Sequence, residues 1–163
     1  MMIKKRRKEG KTDYGKRIKL LSGKKPRVLF RRTNRYIIGQ LVKSKEAKDF
    51  TVIGLTSKEL IEYGWPKDAK GSLKSIPASY LTGFLLGKKM LDKDEKEAIL
   101  DIGILRSIER SRVYAFLNGI KDSGINIKCE QKMFPEEKRI LGKHMKINLE
   151  FNKIKQNIEK KFV

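Results

Sequence analysis

Two stretches rich in β-branched, aromatic and aliphatic residues, Arg27-Val28-Leu29-Phe30-Arg31 and Tyr36-Ile37-Ile38-Gly39-Gln40-Leu41-Val42, flank the polar run Arg32-Thr33-Asn34-Arg35. That pattern predicts an antiparallel hairpin with a tight polar reversal. A charged turn at residues 43–48 leads to Phe50-Thr51-Val52-Ile53-Gly54-Leu55, a third strand that makes the arrangement a meander. Thr56-Ser57-Lys58-Glu59 has capping-box form and opens a short helix that stops at Gly64. Pro77 suits a first helical residue, and Tyr80, Leu81, Phe84, Leu85 and Leu91 follow at helical spacing, which marks the main buried helix. Within it Gly83 and Gly87, four apart, allow a neighbour to approach closely. Residues 98–103 read as a strand after a helix, and Ser111 is placed to cap a helix at 112–123 with Val113, Phe116, Leu117 and Ile120 on one stripe. Residues 125–134 are expected to be extended, with a short helix after Pro135 ended by Gly142. Ile147, Phe151, Ile154 and Ile158 form the stripe of a tail helix, which needs a groove on its own domain or on a partner.

The order of these elements predicts an α/β fold, a three-stranded antiparallel meander followed by αβα, with a mixed sheet and helices packed on it. This order resembles the ribonuclease H architecture. Three regions are expected: a basic N-terminal arm at 1–25, an α/β domain at 26–128, and a C-terminal extension at 129–163 with a short helix and an amphipathic tail helix.

Charge changes the picture most. The 163 residues hold 40 Lys and Arg against 19 Asp and Glu, a net charge of +21. An anionic polymer is the expected partner. Of the 40 basic residues, 15 lie in the first 35 positions beside two acids, so 13 of the 21 excess charges sit there. The run Lys4-Lys5-Arg6-Arg7-Lys8 repels itself and is expected to stay extended or disordered until a polyanion neutralises it, while residues 17–21 add a helical turn that Ser22-Gly23-Lys24-Lys25-Pro26 breaks. Arg31, Arg32 and Arg35 crowd the hairpin tip with the donors of Thr33 and Asn34, a phosphate-reading surface or else a solvated turn. Tyr14 either stacks on a base or packs on the domain. Lys67, Lys70 and Lys74 lie in a mobile basic loop that clasps RNA or faces solvent. Arg106, Arg110 and Arg112 surround a helix start, where cations oppose the helix dipole and a nearby anion would relieve them.

Other chemistries find little support. One cysteine, Cys129, cannot form an internal disulfide, so a reducing cytosolic home is expected. No secretory signal or membrane-length apolar run is read, and no cofactor or small-molecule substrate is expected. The single histidine, His144, has no nucleophile pattern around it. No phosphate-binding glycine loop or zinc-ligand spacing occurs. A two-metal nuclease, the one catalytic alternative, would have to use Asp49 and Asp101, with no third acid at a matching place. A non-specific RNA chaperone is the other rival.

Several separate motifs in order carry a resemblance: Lys8-Glu9-Gly10-Lys11-Thr12-Asp13-Tyr14, Lys25-Pro26-Arg27, the hairpin through Ile38, Tyr63-Gly64-Trp65, Pro77-Ala78-Ser79-Tyr80-Leu81-Thr82-Gly83, Leu100-Asp101-Ile102-Gly103 and Ser111-Arg112-Val113. Over residues 5–145 the chain resembles the 5S rRNA-binding large-subunit ribosomal proteins numbered eighteen in the universal scheme, in their archaeal and eukaryotic form. It departs from that family at Glu109-Arg110, where the family has glycine before the serine. The resemblance implies a structural, non-enzymatic protein of the large ribosomal subunit. Such a protein binds 5S rRNA and helps attach it to 23S rRNA in the central protuberance, beside neighbouring ribosomal proteins. Carried onto this chain, it assigns rRNA contacts to Lys4, Lys5, Arg6, Arg7, Lys8, Lys11, Tyr14 and Arg17 in the arm. Lys24, Lys25, Arg27, Arg31, Arg32, Thr33, Asn34, Arg35 and Tyr36 follow in and around the hairpin, with Lys67, Lys70, Lys74, Arg106, Arg110 and Arg112 beyond it.

Overall fold

A computed structural model of the chain describes residues 5–46, 48–145 and 149–162. Two helices, α1 (Lys5–Lys8) and α2 (Tyr14–Ser22), precede strands β1 (Arg27–Arg32), β2 (Ile37–Lys45) and β3 (Lys48–Thr56). Then come α3 (Ile76–Asp92), β4 (Ile99–Asp101), α4 (Arg112–Asp122), α5 (Glu137–Ile140) and α6 (Phe151–Lys161). The four strands form one mixed sheet in the order β3-β2-β1-β4. β1 and β2 run antiparallel with Arg32 opposite Ile37, so the reversal is Thr33-Asn34-Arg35-Tyr36, and β4 pairs parallel to β1 through the α3 crossover. This is the expected α/β class, a four-stranded mixed sheet with helices packed on it. No fifth strand follows α4 among the described residues: Asn126 makes one parallel bridge to Glu97, and the chain continues irregularly to a 3₁₀ turn at Gln131–Met133.

Strand alternation sends Val28 and Phe30 to one face, where they meet α3 and α4; the Phe30 and Phe116 rings lie 5.3 Å apart. The two helices cross at glycines. A Cβ on Gly83 would lie 2.0 Å from the Phe116 carbonyl oxygen, and one on Gly119 would lie 2.1 Å from that of Tyr80. The close approach expected of Gly83 is therefore real, with α4 supplying the matching glycine. α3 starts one residue before the expected point, with Ser75 as N-cap, its Oγ accepting from the Ala78 amide at 3.4 Å.

The tail stripe finds its groove on the same chain. Phe151, Ile154 and Ile158 are buried, Phe151 packs on the Tyr80 ring at 5.4 Å, and Asn157 Nδ2 donates to the Tyr63 carbonyl at 2.9 Å. Ile147 lies outside the described residues. The Tyr80 hydroxyl donates to Asp122 at 2.5 Å, joining α3 to α4. Burial and that carboxylate push the phenol well above its usual range.

Two expectations change. The arm is helical at residues 5–8, where extension was expected, and the turn expected at 17–21 is part of the longer α2: the Asp13 carboxylate accepts the Lys16 amide at 3.1 Å and starts this helix, which then lies across the outward face of the sheet. Residues 67–72, expected as a loop, form two short 3₁₀ turns that meet at a kink at Ala69, where Ala69 and Leu73 are buried and Trp65 Nε1 donates to the Ala69 carbonyl at 3.4 Å.

Candidate nucleic-acid interface

The hairpin turn is built by Thr33. Its amide and its hydroxyl both donate to the Tyr36 carbonyl, at 2.9 and 2.8 Å, and its Oγ1 accepts the Tyr36 amide at 2.9 Å and the Arg35 amide at 3.3 Å. Such a side-chain-to-backbone bracket fixes the turn and leaves the neighbouring side chains outside it. Thr33 therefore shapes the tip, while Arg32, Asn34 and Arg35 are exposed on it. Lys74 Nζ donates to the Asn34 carbonyl at 3.0 Å, so the basic segment after Trp65 is drawn to the same tip. Tyr36 is half-buried with Lys58 Nζ 4.4 Å from its ring centre, which adds a cation that sequence reasoning missed. Lys67 is exposed on the 3₁₀ segment. Lys4 and the Lys70 side chain lie outside what is described.

On the sheet's outward face, α2 and the loop after β4 enclose a cleft of about 760 Å³. Arg6, Lys11, Tyr14, Arg17, Arg31 and Arg32 of the expected set line it, together with Lys16. With the buried Arg27 beneath them, seven cations and three carboxylates, Asp13, Asp49 and Asp101, line this cleft, an excess of four positive charges. Lys16 Nζ donates to the Gly103 carbonyl at 3.1 Å, while Arg31 donates to those of Phe30 and Asp101 at 3.0 and 3.4 Å. Arg6 donates to Thr12 Oγ1 at 3.1 Å, and Lys11 pairs with Glu9 at 2.8 Å. Lys16 was also missed; Asp13 as an N-cap was the signal that could have placed it on a helix. Lys5, Arg7, Lys8 and Lys24 are exposed without enclosing anything. Lys25 bonds Glu97 at 2.5 Å, a bond that holds the Glu97 carboxyl below its usual range.

Arg27 is a correction. Only 2% exposed, its guanidinium donates to Asp101 at 2.8 Å, to Asp49 at 2.7 Å and to Ser44 at 2.9 Å. It points to the sheet's outward face as β-alternation requires, but there the two carboxylates and α2 close over it, so it offers no surface to RNA. Arg17 also holds Asp49, at 2.8 Å. Burial alone would raise the Asp49 pKa, but hydrogen bonds from Arg17 and Ser44 and the charge of Arg27 overcome it and hold the carboxyl below the usual 3.8. The two acids considered for metal catalysis are thus bridged by one guanidinium. Among the described residues no acid, histidine or cysteine cluster could hold a metal ion.

At the third basic site Arg106 and Arg110 are exposed and Arg112 is half-buried. Ser111 occupies the N-cap position of α4, but its hydroxyl caps nothing. Arg110 sits at φ +55°, pairs with Glu136 at 3.3 Å, and donates its amide to the Met133 carbonyl at 2.9 Å.

A family model described as ribosomal large subunit proteins 60S L5 and 50S L18 matches residues 2–97. The large ribosomal subunit protein uL18 of Korarchaeum cryptofilum is 47% identical over 140 residues, covering 86% of this chain and 70% of the relative. The uL18 proteins of Methanosphaera stadtmanae and Methanoculleus marisnigri are each 45% identical, again over 86% of this chain, and over 71% and 78% of their own lengths. With the model matching more than half of the chain and relatives of this identity, the chain belongs to the L5 and L18 family of large-subunit ribosomal proteins, structural and non-enzymatic components of the ribosome.

Proposed function

We propose that the chain binds 5S rRNA and helps attach it to 23S rRNA in the central protuberance of the large subunit, through the hairpin tip and the arm. The observation that carries this reading is the tip itself. Thr33 locks the backbone of the turn from within and Lys74 bonds the Asn34 carbonyl, so Arg32, Arg35 and Lys74 project from one fixed point of the surface. Cations gathered on one rigid turn can meet several phosphates together, and each phosphate neutralised releases a condensed counterion. The tip sets register on the RNA, and the arm cations supply further contacts that carry no sequence information. Arg106, Arg110 and Arg112 form a second basic edge suited to the neighbouring rRNA.

The test is a filter-binding salt series with a 5S rRNA transcript and a transfer RNA as competitor. The full chain is expected to prefer the 5S rRNA. The Arg32→Ala/Arg35→Ala/Lys74→Ala variant should bind it more weakly and lower the salt slope by about 2, at about 0.7–0.9 for each phosphate no longer neutralised. Equal affinity for the two RNAs, or an unchanged slope, overturns the assignment.

A further inference from the structure

The cleft beside α2 combines two features that phosphate binding alone does not use. Its apolar lining includes Leu29 of β1, Ile18 of α2 and Ile104 of the loop after β4. Ile18 is 66% exposed and Ile104 61%, a large aliphatic exposure for so charged a surface. Its rim carries Lys16, Arg31 and Arg32. Lys16 and Arg31 are pinned by main-chain carbonyls, which fix a cation's position without cancelling its charge, whereas the nearby Asp49 and Asp101 are already engaged by Arg17 and Arg27. The surplus positive charge therefore stays directed at an apolar floor.

A ligand suited to this lining joins an apolar face to an anion, and the cleft's volume of about 760 Å³ lies within the roughly 300–1,000 Å³ of clefts that bury small ligands. Paired A-form RNA offers phosphates but keeps its base faces stacked inside, so a duplex leaves the floor uncovered. An unpaired nucleotide presents both parts at once. We propose that the cleft between α2 and the sheet receives a single unpaired nucleotide of the bound rRNA, its base against Leu29, Ile18 and Ile104 and its phosphate against Lys16, Arg31 and Arg32. This rests on the 5S rRNA-binding reading above and adds to it the form in which the RNA is held. The hairpin tip gives affinity and register; the cleft gives selectivity for RNA with an unpaired residue at the right distance from that tip.

The test uses the full chain with labelled isoleucine methyl groups, titrated with a 5S rRNA transcript and followed by NMR, beside an Ile18→Ser/Ile104→Ser variant. Both positions are exposed, so the variant keeps the fold. The expected result is an upfield ring-current shift of the Ile18 and Ile104 methyls on complex formation, with 5S rRNA affinity falling roughly tenfold in the variant and the salt slope unchanged, since no charge is removed. A complex that forms with both methyls unmoved, or a variant that binds as tightly as the parent, overturns the nucleotide pocket and leaves 5S rRNA binding standing. Failure of the parent chain to bind the transcript at all overturns both.

Discussion

A single arginine shows how little a cation's presence in a basic chain says about its role. Arg27 carries the same charge as Arg32, but β-alternation and the two facing carboxylates put it inside, at 2% exposure. Removing one member of such a buried pair leaves the other charge unpaired. Arg27→Met should lower unfolding stability in urea by roughly 3–5 kcal/mol. Arg27→Met/Asp101→Leu should recover most of that loss, because the orphaned carboxylate goes with it. Asp49, held below its usual pKa in the fold, binds protons less readily there than in the unfolded chain. Its contribution is therefore fully present above about pH 5 and is lost as pH falls through the lowered folded value. Urea midpoints between about pH 6 and pH 3 should fall less steeply in Asp49→Asn than in the parent. Arg110 makes the opposite point. It holds φ +55°, a backbone region that disfavours side chains by about 1–2 kcal/mol. Arg110→Gly should leave stability unchanged or raise it by up to about 1 kcal/mol, read from the same urea curves, since the added freedom of the unfolded glycine offsets part of the relief.

At the scale of elements, what the sequence made legible was whatever depended on periodicity. The meander, α3, α4, the parallel β4 and the stripe of α6 all follow from spacings of two or three to four between apolar residues. Elements held by single polar contacts were only partly legible. α2 has no buried residue and a run of cations, so only a turn at 17–21 could be read; the Asp13 cap and the anchors of Lys16 and Arg17 extend it to Tyr14–Ser22. The 3₁₀ segment at 67–72 reads as a polar loop because its burial comes from one Ala and the Leu after it. Of the candidate site, the hairpin tip was legible from composition, whereas the cleft requires knowing where α2 lies. The α3–α4 crossing gives the sharpest test at this scale. In a free helix Gly→Ala is favourable by about 1 kcal/mol, but a Cβ at Gly83 or Gly119 would meet a rigid backbone carbonyl at about 2 Å. Overpacking wins, and Gly83→Ala should lose about 3 kcal/mol or more in urea unfolding. Gly15→Ala on α2 meets only the Asp13 carboxylate at an ordinary 3.5 Å, so there propensity wins and helical circular dichroism should rise slightly.

For the whole molecule, a net charge of +21 on 163 residues makes the free protein and its complex respond to salt in opposite directions. The exposed ion pairs, Lys25 with Glu97, Arg110 with Glu136 and Lys132 with Glu130, contribute little and weaken as ions are added. Against them stands the mutual repulsion of the surplus cations, which compaction increases and which ions at about 0.1 M screen beyond about 10 Å. With twice as many basic as acidic residues the repulsion outweighs the pairs. The melting temperature of the RNA-free chain should therefore rise between about 0.05 and 0.5 M KCl, while its affinity for 5S rRNA falls steeply over the same range as counterion release loses its advantage. Scanning calorimetry of the free chain beside the binding series separates the two terms. A melting temperature that falls with salt would mean that the buried Arg27 network and the surface pairs, rather than surplus charge, govern the free protein. In the expected case, low salt is the condition in which this chain is least stable alone and most strongly drawn to RNA, so its folded state and its partner are coupled through one electrostatic term.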